Sequence, residues 1–338
     1  LRLIEPLGLL HGRAAADACA AGLAHRLAGG PAAFSLARLH EGGSARLVRT
    51  ADIPDDWREA LARVTAARPA WAGLPTDRPL VMGILNVTPD SFSDGGLHDA
   101  PDAAVAHGRR MMAAGADLID VGGESTRPGA AEVPAADEQH RVLPVVRALA
   151  GYGIPVSIDT RHAATMAAAL EAGAAIVNDV SGLNFDPAAA PLLRGSAVPV
   201  VIQHMRGTPA DMAEQAFYAD VALDCTRELE TTIAAAGLDR ARVLADPGIG
   251  FAKLPQHNLE VLARLPVLLN LGCRLLVGAS RKGFLAAAAA EPTPAARLPG
   301  SLACALAAVL GGAAMLRVHD VAATVQALRV WQGIADAA

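Results

Sequence analysis

Arg317 and His319, in the run R-V-H-D, stand one residue apart, so on a strand they face the same side. Two potential cations meeting at one point suit a diphosphate, although a solvated strand end has the same composition. Three more polar side chains close short apolar runs: Asp159 in SIDT, Asn178 in VNDV and Asp246 in ADPGIGF. A buried carboxylate accepts two parallel hydrogen bonds from adjacent N–H donors, as it does from a guanidinium. Asp246 fits that chemistry best, because Gly248 and Gly250 let the backbone approach a flat ring. Taken singly, each of these is as readily a helix cap or a turn former.

Other chemistry-bearing residues crowd into loops. N-V-T-P-D-S-F-S-D-G-G packs Asn86, Thr88, Asp90, Ser91, Ser93 and Asp94 around Phe92, and Pro89, Gly95 and Gly96 prevent a continuing strand. D-V-G-G-E-S-T-R-P-G, from Asp120, offers Thr126 and Arg127 to an anion, with Pro128-Gly129 permitting a mobile excursion. S-R-K contributes Ser280 and Lys282. Of 29 basic residues only Lys253 and Lys282 are lysine. Arginine's planar fork does not replace a compact ammonium in a shaped pocket, so both lysines point to special positions.

These residues follow apolar runs in a repeating pattern. Runs at 80–85, 118–121, 155–158, 175–177, 199–202, 243–245, 275–277 and 314–316 alternate with helical stretches at 102–115, 137–150, 162–172, 186–194, 219–236, 257–264, 296–310 and 321–335. Eight apolar strands alternating with helices predict a parallel sheet, and the span from Leu80 matches the ~250 residues of a closed (β/α)8 TIM barrel. An open doubly wound sheet is the second choice. In such a barrel the C-terminal strand ends form the reactive rim. Asn86, Gly122-Gly123-Glu124, Asp159, Asn178, Gln203-His204, Asp246, Ser280-Arg281-Lys282 and Arg317-Val318-His319 fall there.

Residues 1–76 read differently, as a small N-terminal α/β extension of unassigned role before a barrel at 77–338. Arg13 to Leu27 is helical in pattern, 57–67 is a second short helix, and RPAWAGLPTDRP is a Pro-rich linker. The chain is 52% hydrophobic and 19% charged with a net charge of −5. That is globular, and it favours neither a nucleic-acid partner nor an anionic membrane surface. Four separated cysteines, Cys19, Cys225, Cys273 and Cys304, read as reduced, buried thiols of a cytoplasmic protein. No segment has the shape of a signal peptide, and Ser301 to Leu316 is short of the ~20 residues a membrane span needs.

The loops from Leu80 to Gly96 and from Asp120 to Val133 closely resemble the two signatures of the dihydropteroate synthase family. The likeness extends over about Pro79 to Trp331. It implies a folate-pathway transferase that joins a dihydropterin pyrophosphate to 4-aminobenzoate. It further implies that Asp159, Asn178, Asp246 and Lys282 bind the pterin, with Gly250 and Gln203 near it. Arg317 and His319 would take the leaving pyrophosphate, Asn86 a Mg²⁺ ion, and Asp94 would stand beside the developing cation. The aminobenzoate would lie near Phe92, Thr126, Pro128 and the segment after Lys282, with Ser280 nearby and Arg127 a further substrate contact, under two loops that order together. Relatives form homodimers through barrel helices. Gln203, where many relatives carry methionine, and Gly283, where serine is frequent, depart from the pattern. A pterin-dependent methyltransferase domain and a non-catalytic pterin-binding paralogue are the alternatives.

Overall fold

The computed structural model describes residues 2–75, 77–88, 100–125, 132–291 and 293–337. The chain opens with β1 (Leu3–Leu10), α1 (Gly12–Ala20), β2 (His25–Arg26), β3 (Ala33–Glu41), β4 (Ser44–Arg49) and α2 (Arg58–Thr65). β3 is the middle of an antiparallel sheet, with β1 along one edge and β4 and β2 along the other. Gly42 and Gly43, both at positive φ, form the two-residue turn that matches the twist of the β3–β4 hairpin. The helical pattern of Arg13 to Leu27 is realised only to Ala20. Gly22 turns the chain at φ +71, and His25–Arg26 pair with Phe34 and Ala33 instead.

From Leu80 onward strands and helices alternate as the apolar runs predict. β5 (Leu80–Asn86), α3 (Ala100–Ala113), β6 (Leu118–Gly122), α4 (Ala135–Gly151), β7 (Val156–Asp159), α5 (Ala163–Glu171), β8 (Ile176–Asp179) and α6 (Ala189–Arg194) form the first half. β9 (Val200–Gln203), α7 (Val221–Ala236), β10 (Val243–Asp246), α8 (Pro255–Ala263), β11 (Arg274–Val277), α9 (Phe284–Ala289), α10 (Leu298–Leu310), β12 (Met315–Val318) and α11 (Val321–Ala337) complete it. β12 pairs in parallel with β5, so the eight strands close into a barrel. The closed (β/α)8 barrel is thus the fold, and the open sheet is excluded. The short α9, directly after the lysine-bearing turn, is an addition that the alternating pattern does not predict.

Strand alternation sets the whole interior. Val156 and Ile158, Val200 and Ile202, and Val243 and Ala245 join the large core between sheet and helices. Their neighbours in sequence face the axis. At the N-terminal end the axis is filled by Leu80, Met82, Leu118, Ile176, Val201, Leu244, Leu276 and Met315, with Trp71 packed among them. Trp71 is 2% exposed, and its indole N–H donates to the carbonyl of Arg242 at 3.0 Å. The Pro-rich linker therefore closes the barrel floor as well as joining the two parts.

The extension docks beside that floor. Asn270, in the turn of 3₁₀ helix Leu265–Leu271, accepts from the Ile4 N–H at 3.0 Å and donates to its carbonyl at 2.7 Å. A barrel side chain so completes the hydrogen bonding of one residue on the β1 edge. Glu5, 1% exposed, receives Arg264 at 2.7 and 3.1 Å and sits 2.7 Å from His40. Burial raises its carboxyl pKa, but the Arg264 and His40 hydrogen bonds more than offset this and hold it below the usual range. The four cysteines are unpaired; three are buried and Cys19 is half-buried. No helix among the described residues is long and apolar enough to cross a membrane.

Candidate active site

Two residues above the apolar floor, the same inward face of the strands turns polar. Leu118 is followed by Asp120, Ile176 by Asn178, Val201 by Gln203, Leu244 by Asp246 and Met315 by Arg317. Asp159 joins them from β7, while Leu276 is followed by Gly278, where a Cβ would lie 3.6 Å from the Cβ of Arg317. Alternation with a two-residue period, applied strand by strand, thus builds an apolar plug beneath an ionisable mouth.

Arg317 crosses the mouth and ties three strands together. Its Nε donates to Asp120 Oδ2 at 2.6 Å and its Nη2 to Asp159 Oδ2 at 2.6 Å. Burial opposes the guanidinium charge, but the two carboxylates more than compensate and raise its pKa. Asn178 Nδ2 donates to the same Asp120 Oδ2 at 3.0 Å. Asp120 is wholly buried and its Oδ1 has no partner among the described residues. Burial pushes the Asp159 carboxyl above the usual range against the pull of Arg317. Asp120 is the residue that rim reasoning misses, because it lies within an apolar run rather than after it. Its two-residue spacing from Leu118, shared with the other inward pairs, is the signal that finds it.

The D-P-G loop after β10 supplies the opposite wall. Gly248 N–H donates to Asp246 Oδ1 at 2.7 Å, and the Asp246 carbonyl accepts from His204 N–H at 2.8 Å. Gly248, at φ +67, lies so close to His204 that a Cβ would fall 2.0 Å from its carbonyl oxygen. Lys282 Nζ donates to the Ile249 carbonyl and stands 4.5 Å from the centre of the Phe251 ring. Its stem passes 2.9 Å from where a Cβ on Gly250 would lie. Burial drives the Lys282 amine down to about 7, only partly opposed by Asp246. Burial also raises the Asp246 carboxyl, with Lys282 the main counterweight.

Beneath this loop Lys253 donates to Gly248 O and Phe251 O, each at 3.1 Å, and lies 2.9 Å from His204 Nδ1. Burial, aided by the Lys253 charge, takes His204 down to about 4, so the ring is neutral and can accept. Gln203 donates to Val180 O at 3.3 Å. On the far side Ser280 Oγ accepts from His319 N–H at 3.2 Å and lies 3.1 Å from its Nδ1. Arg281 takes a left-handed φ of +57, held by its ion pair with Asp320 and by the Ser301 hydroxyl at 2.9 Å from its N–H.

The structure therefore brings Asp159, Asn178, Gln203, Asp246, Gly250, Ser280, Lys282, Arg317 and His319 to one end of the barrel, with Asn86 closing β5 beside them. Phe92, Asp94, Thr126, Arg127 and Pro128 lie outside the described residues. The flanks of the second loop are anchored: Glu124 accepts from Val133 N–H at 3.0 Å and from Arg161 at 2.8 and 2.9 Å. Chemically, the mouth offers acceptors at Asp246 and Asn178, a movable proton at Lys282, and a cation at Arg317. Only two of Arg317's five N–H donors are engaged among the described residues.

The family model described as pterin binding enzyme matches residues 82–319. Dihydropteroate synthase of Escherichia coli (strain K12) is 45% identical over 261 residues, covering 76% of this chain and 92% of that one. The structure of Xanthomonas albilineans dihydropteroate synthase with 4-aminobenzoic acid superposes with a TM-score of 0.72 at 48% identity, over 77% of this chain and 94% of that one. The same organism's enzyme in complex with 7,8-dihydropteroate gives a TM-score of 0.70 at 46% identity, over 77% and 95% of the two chains.

Proposed function

The chain belongs to the pterin binding enzyme family, and from that premise we propose that it is a dihydropteroate synthase. It joins 6-hydroxymethyl-7,8-dihydropterin pyrophosphate to 4-aminobenzoate, giving 7,8-dihydropteroate and pyrophosphate. The observation that carries the reading is the polar mouth itself. Asp246, Asn178, Asp159 and Lys282 converge there from separate strands and loops.

The pterin's amino-pyrimidinone edge carries adjacent N–H donors, and Asp246 accepts them in parallel. Lys282, from the turn after β11, faces the ring's acceptors. With the ring held, the bond from the exocyclic methylene to the diphosphate oxygen breaks and the diphosphate keeps the electron pair. Arg317 and His319 meet the charge that develops on it. The ring stabilises the methylene cation, and Asp94 is assigned to its side. The amine nitrogen of 4-aminobenzoate then bonds to the methylene carbon and sheds a proton, a step that needs position and dryness more than a strong base. Phe92, Thr126, Arg127, Pro128 and Ser280 are assigned to the aminobenzoate and its lid.

Asn86 offers one neutral oxygen, and no cluster of three or more His, Cys, Asp or Glu ligands exists among the described residues. That donor set fits a Mg²⁺ ion that arrives with the diphosphate and keeps several waters. When bound, the ion would neutralise leaving-group charge. A homodimer and a cytoplasmic location complete the reading. Val330 and Ile334, one turn apart on α11 and 60% and 64% exposed, are apolar surface of the kind such an interface covers.

The test is a turnover assay with the dihydropterin pyrophosphate, Mg²⁺ and 4-aminobenzoate, following both products. Pyrophosphate and dihydropteroate appearing together is the expected result. Pterin binding without either product would make the chain a non-catalytic pterin binder. Methyl transfer from methyltetrahydrofolate to a corrinoid would make it a methyltransferase domain.

A further inference from the structure

We propose that Asp120 is a positioning residue for substrate recognition: it fixes the amide of Asn178 so that the carbonyl oxygen of this side chain faces the pterin as an acceptor. The inference rests on the pterin reading above. Asp120 Oδ2 accepts Arg317 Nε at 2.6 Å, and Asn178 Nδ2 donates to the same oxygen at 3.0 Å. An oxygen already accepting from a guanidinium repels a carbonyl, so the amide must turn its NH₂ toward Asp120. Asn178 Oδ1 is thereby committed to the cavity as an acceptor.

The chemistry of the ligand gives that commitment a purpose. A pterin's 2-amino group has two hydrogens, and a carboxylate that spans N3–H and the amino group uses only one of them. The second requires another acceptor, because a buried N–H left unmet keeps the full cost of its lost hydration. A 2-oxo ring such as lumazine instead presents an acceptor at that position and meets an oxygen of like charge. Asp120, which is buried at 0% exposure and out of reach of bulk solvent, thus contributes to selection between 2-amino and 2-oxo ligands through Asn178. Arg317 is oriented by the same carboxylate, so the ring site and the anion site share one anchor.

Titration calorimetry with 6-hydroxymethylpterin and 6-hydroxymethyllumazine tests this on the full chain. Neither probe carries a diphosphate, so anion binding does not enter the comparison. The wild-type protein is expected to prefer the pterin by about 100-fold or more. In Asp120→Leu no acceptor at position 120 holds the Asn178 amide, which is then free to turn, so the preference falls by about tenfold or more. Asp120→Asn, whose amide oxygen takes the place of Oδ2 and still accepts from both Arg317 and Asn178, keeps the preference within about threefold of wild type.

A merely structural role for Asp120 moves the melting temperature and both affinities together and leaves the ratio alone. An unchanged ratio in folded Asp120→Leu, or a ratio lost in folded Asp120→Asn, overturns the inference. If Asp120→Leu does not fold, Asp120→Ala, which also removes the acceptor, is read by the same ratio and decides in its place. A wild-type protein that binds neither probe overturns the pterin reading itself, and this inference with it.

Discussion

Asp246 is placed to be the residue on which pterin affinity depends most. One oxygen also accepts from Gly248 N–H, and the group is 4% exposed, so the lone pairs left for the ligand have little water to compete with them. Truncating one partner of a buried charged hydrogen-bond set costs roughly 2–5 kcal/mol. Asp246→Ala is therefore expected to weaken pterin binding by ~30-fold or more, and a calorimetric change under threefold would contradict the assignment. Lys282 gives a second residue-scale prediction, in pH. Its folded-state pKa near 7 is below the 10.5 of an exposed lysine. Between those values the unfolded chain binds a proton that the folded site does not, so the stability of the ligand-free protein rises with pH across that window. One proton corresponds to ~1.4 kcal/mol per pH unit. Lys282→Met should remove that rise, read as the difference in urea midpoint between pH 7 and pH 9. An equal rise in the variant would place the ionisation elsewhere.

Among the elements, the D-P-G loop shows why a rare residue type can be read from the sequence while its partners cannot. Lys253 bonds two carbonyls of the loop and lies beside a neutral His204, a pocket of three acceptors around one compact ammonium. Asn258, at the start of α8, accepts from Gly250 N–H at 2.6 Å and steadies the same turn from the other side. A guanidinium fork does not fit where an ammonium is held this way. Both Lys253→Arg and Lys253→Met are expected to lower pterin affinity by about tenfold or more; an Arg variant that binds normally would show that charge alone suffices. The sequence marks Lys253 through its rarity, and it marks the strands because all but β7, whose inward residue is Ser157, are apolar on both faces near the floor. The chain stretch that follows each run is equally legible. Asp120 is not, since an aspartate inside L-I-D-V-G is visible as inward-facing only once the phase of β6 is known. The helix in the extension is overread for a related reason: alanine favours helix throughout, and Gly22 at positive φ, followed by the pairing of His25–Arg26 with β3, decides otherwise.

On the scale of the whole molecule, the extension and the barrel meet at the end opposite the chemistry. The Asn270–Ile4 pairing and the Glu5–Arg264 ion pair hold the sheet against the turns below the strands. Trp71 lies between the two parts, and its burial is shared with inward side chains of β5, β6, β8, β9, β10, β11 and β12. Removing the indole would leave a cavity under those strands and an unmet carbonyl at Arg242. Substituting a buried tryptophan by alanine costs about 3–5 kcal/mol. Trp71→Ala is therefore expected to lower the denaturation midpoint by that equivalent while KM for the dihydropterin pyrophosphate stays within about threefold. The split follows from the layering, because the floor residues Leu244 and Met315 separate the indole from Asp246 and Arg317 above them. Equilibrium unfolding and steady-state kinetics on the same preparation read the two quantities independently. A large rise in KM with stability unchanged would mean that the floor governs the mouth, and Trp71 would then belong to the site rather than to the scaffold beneath it.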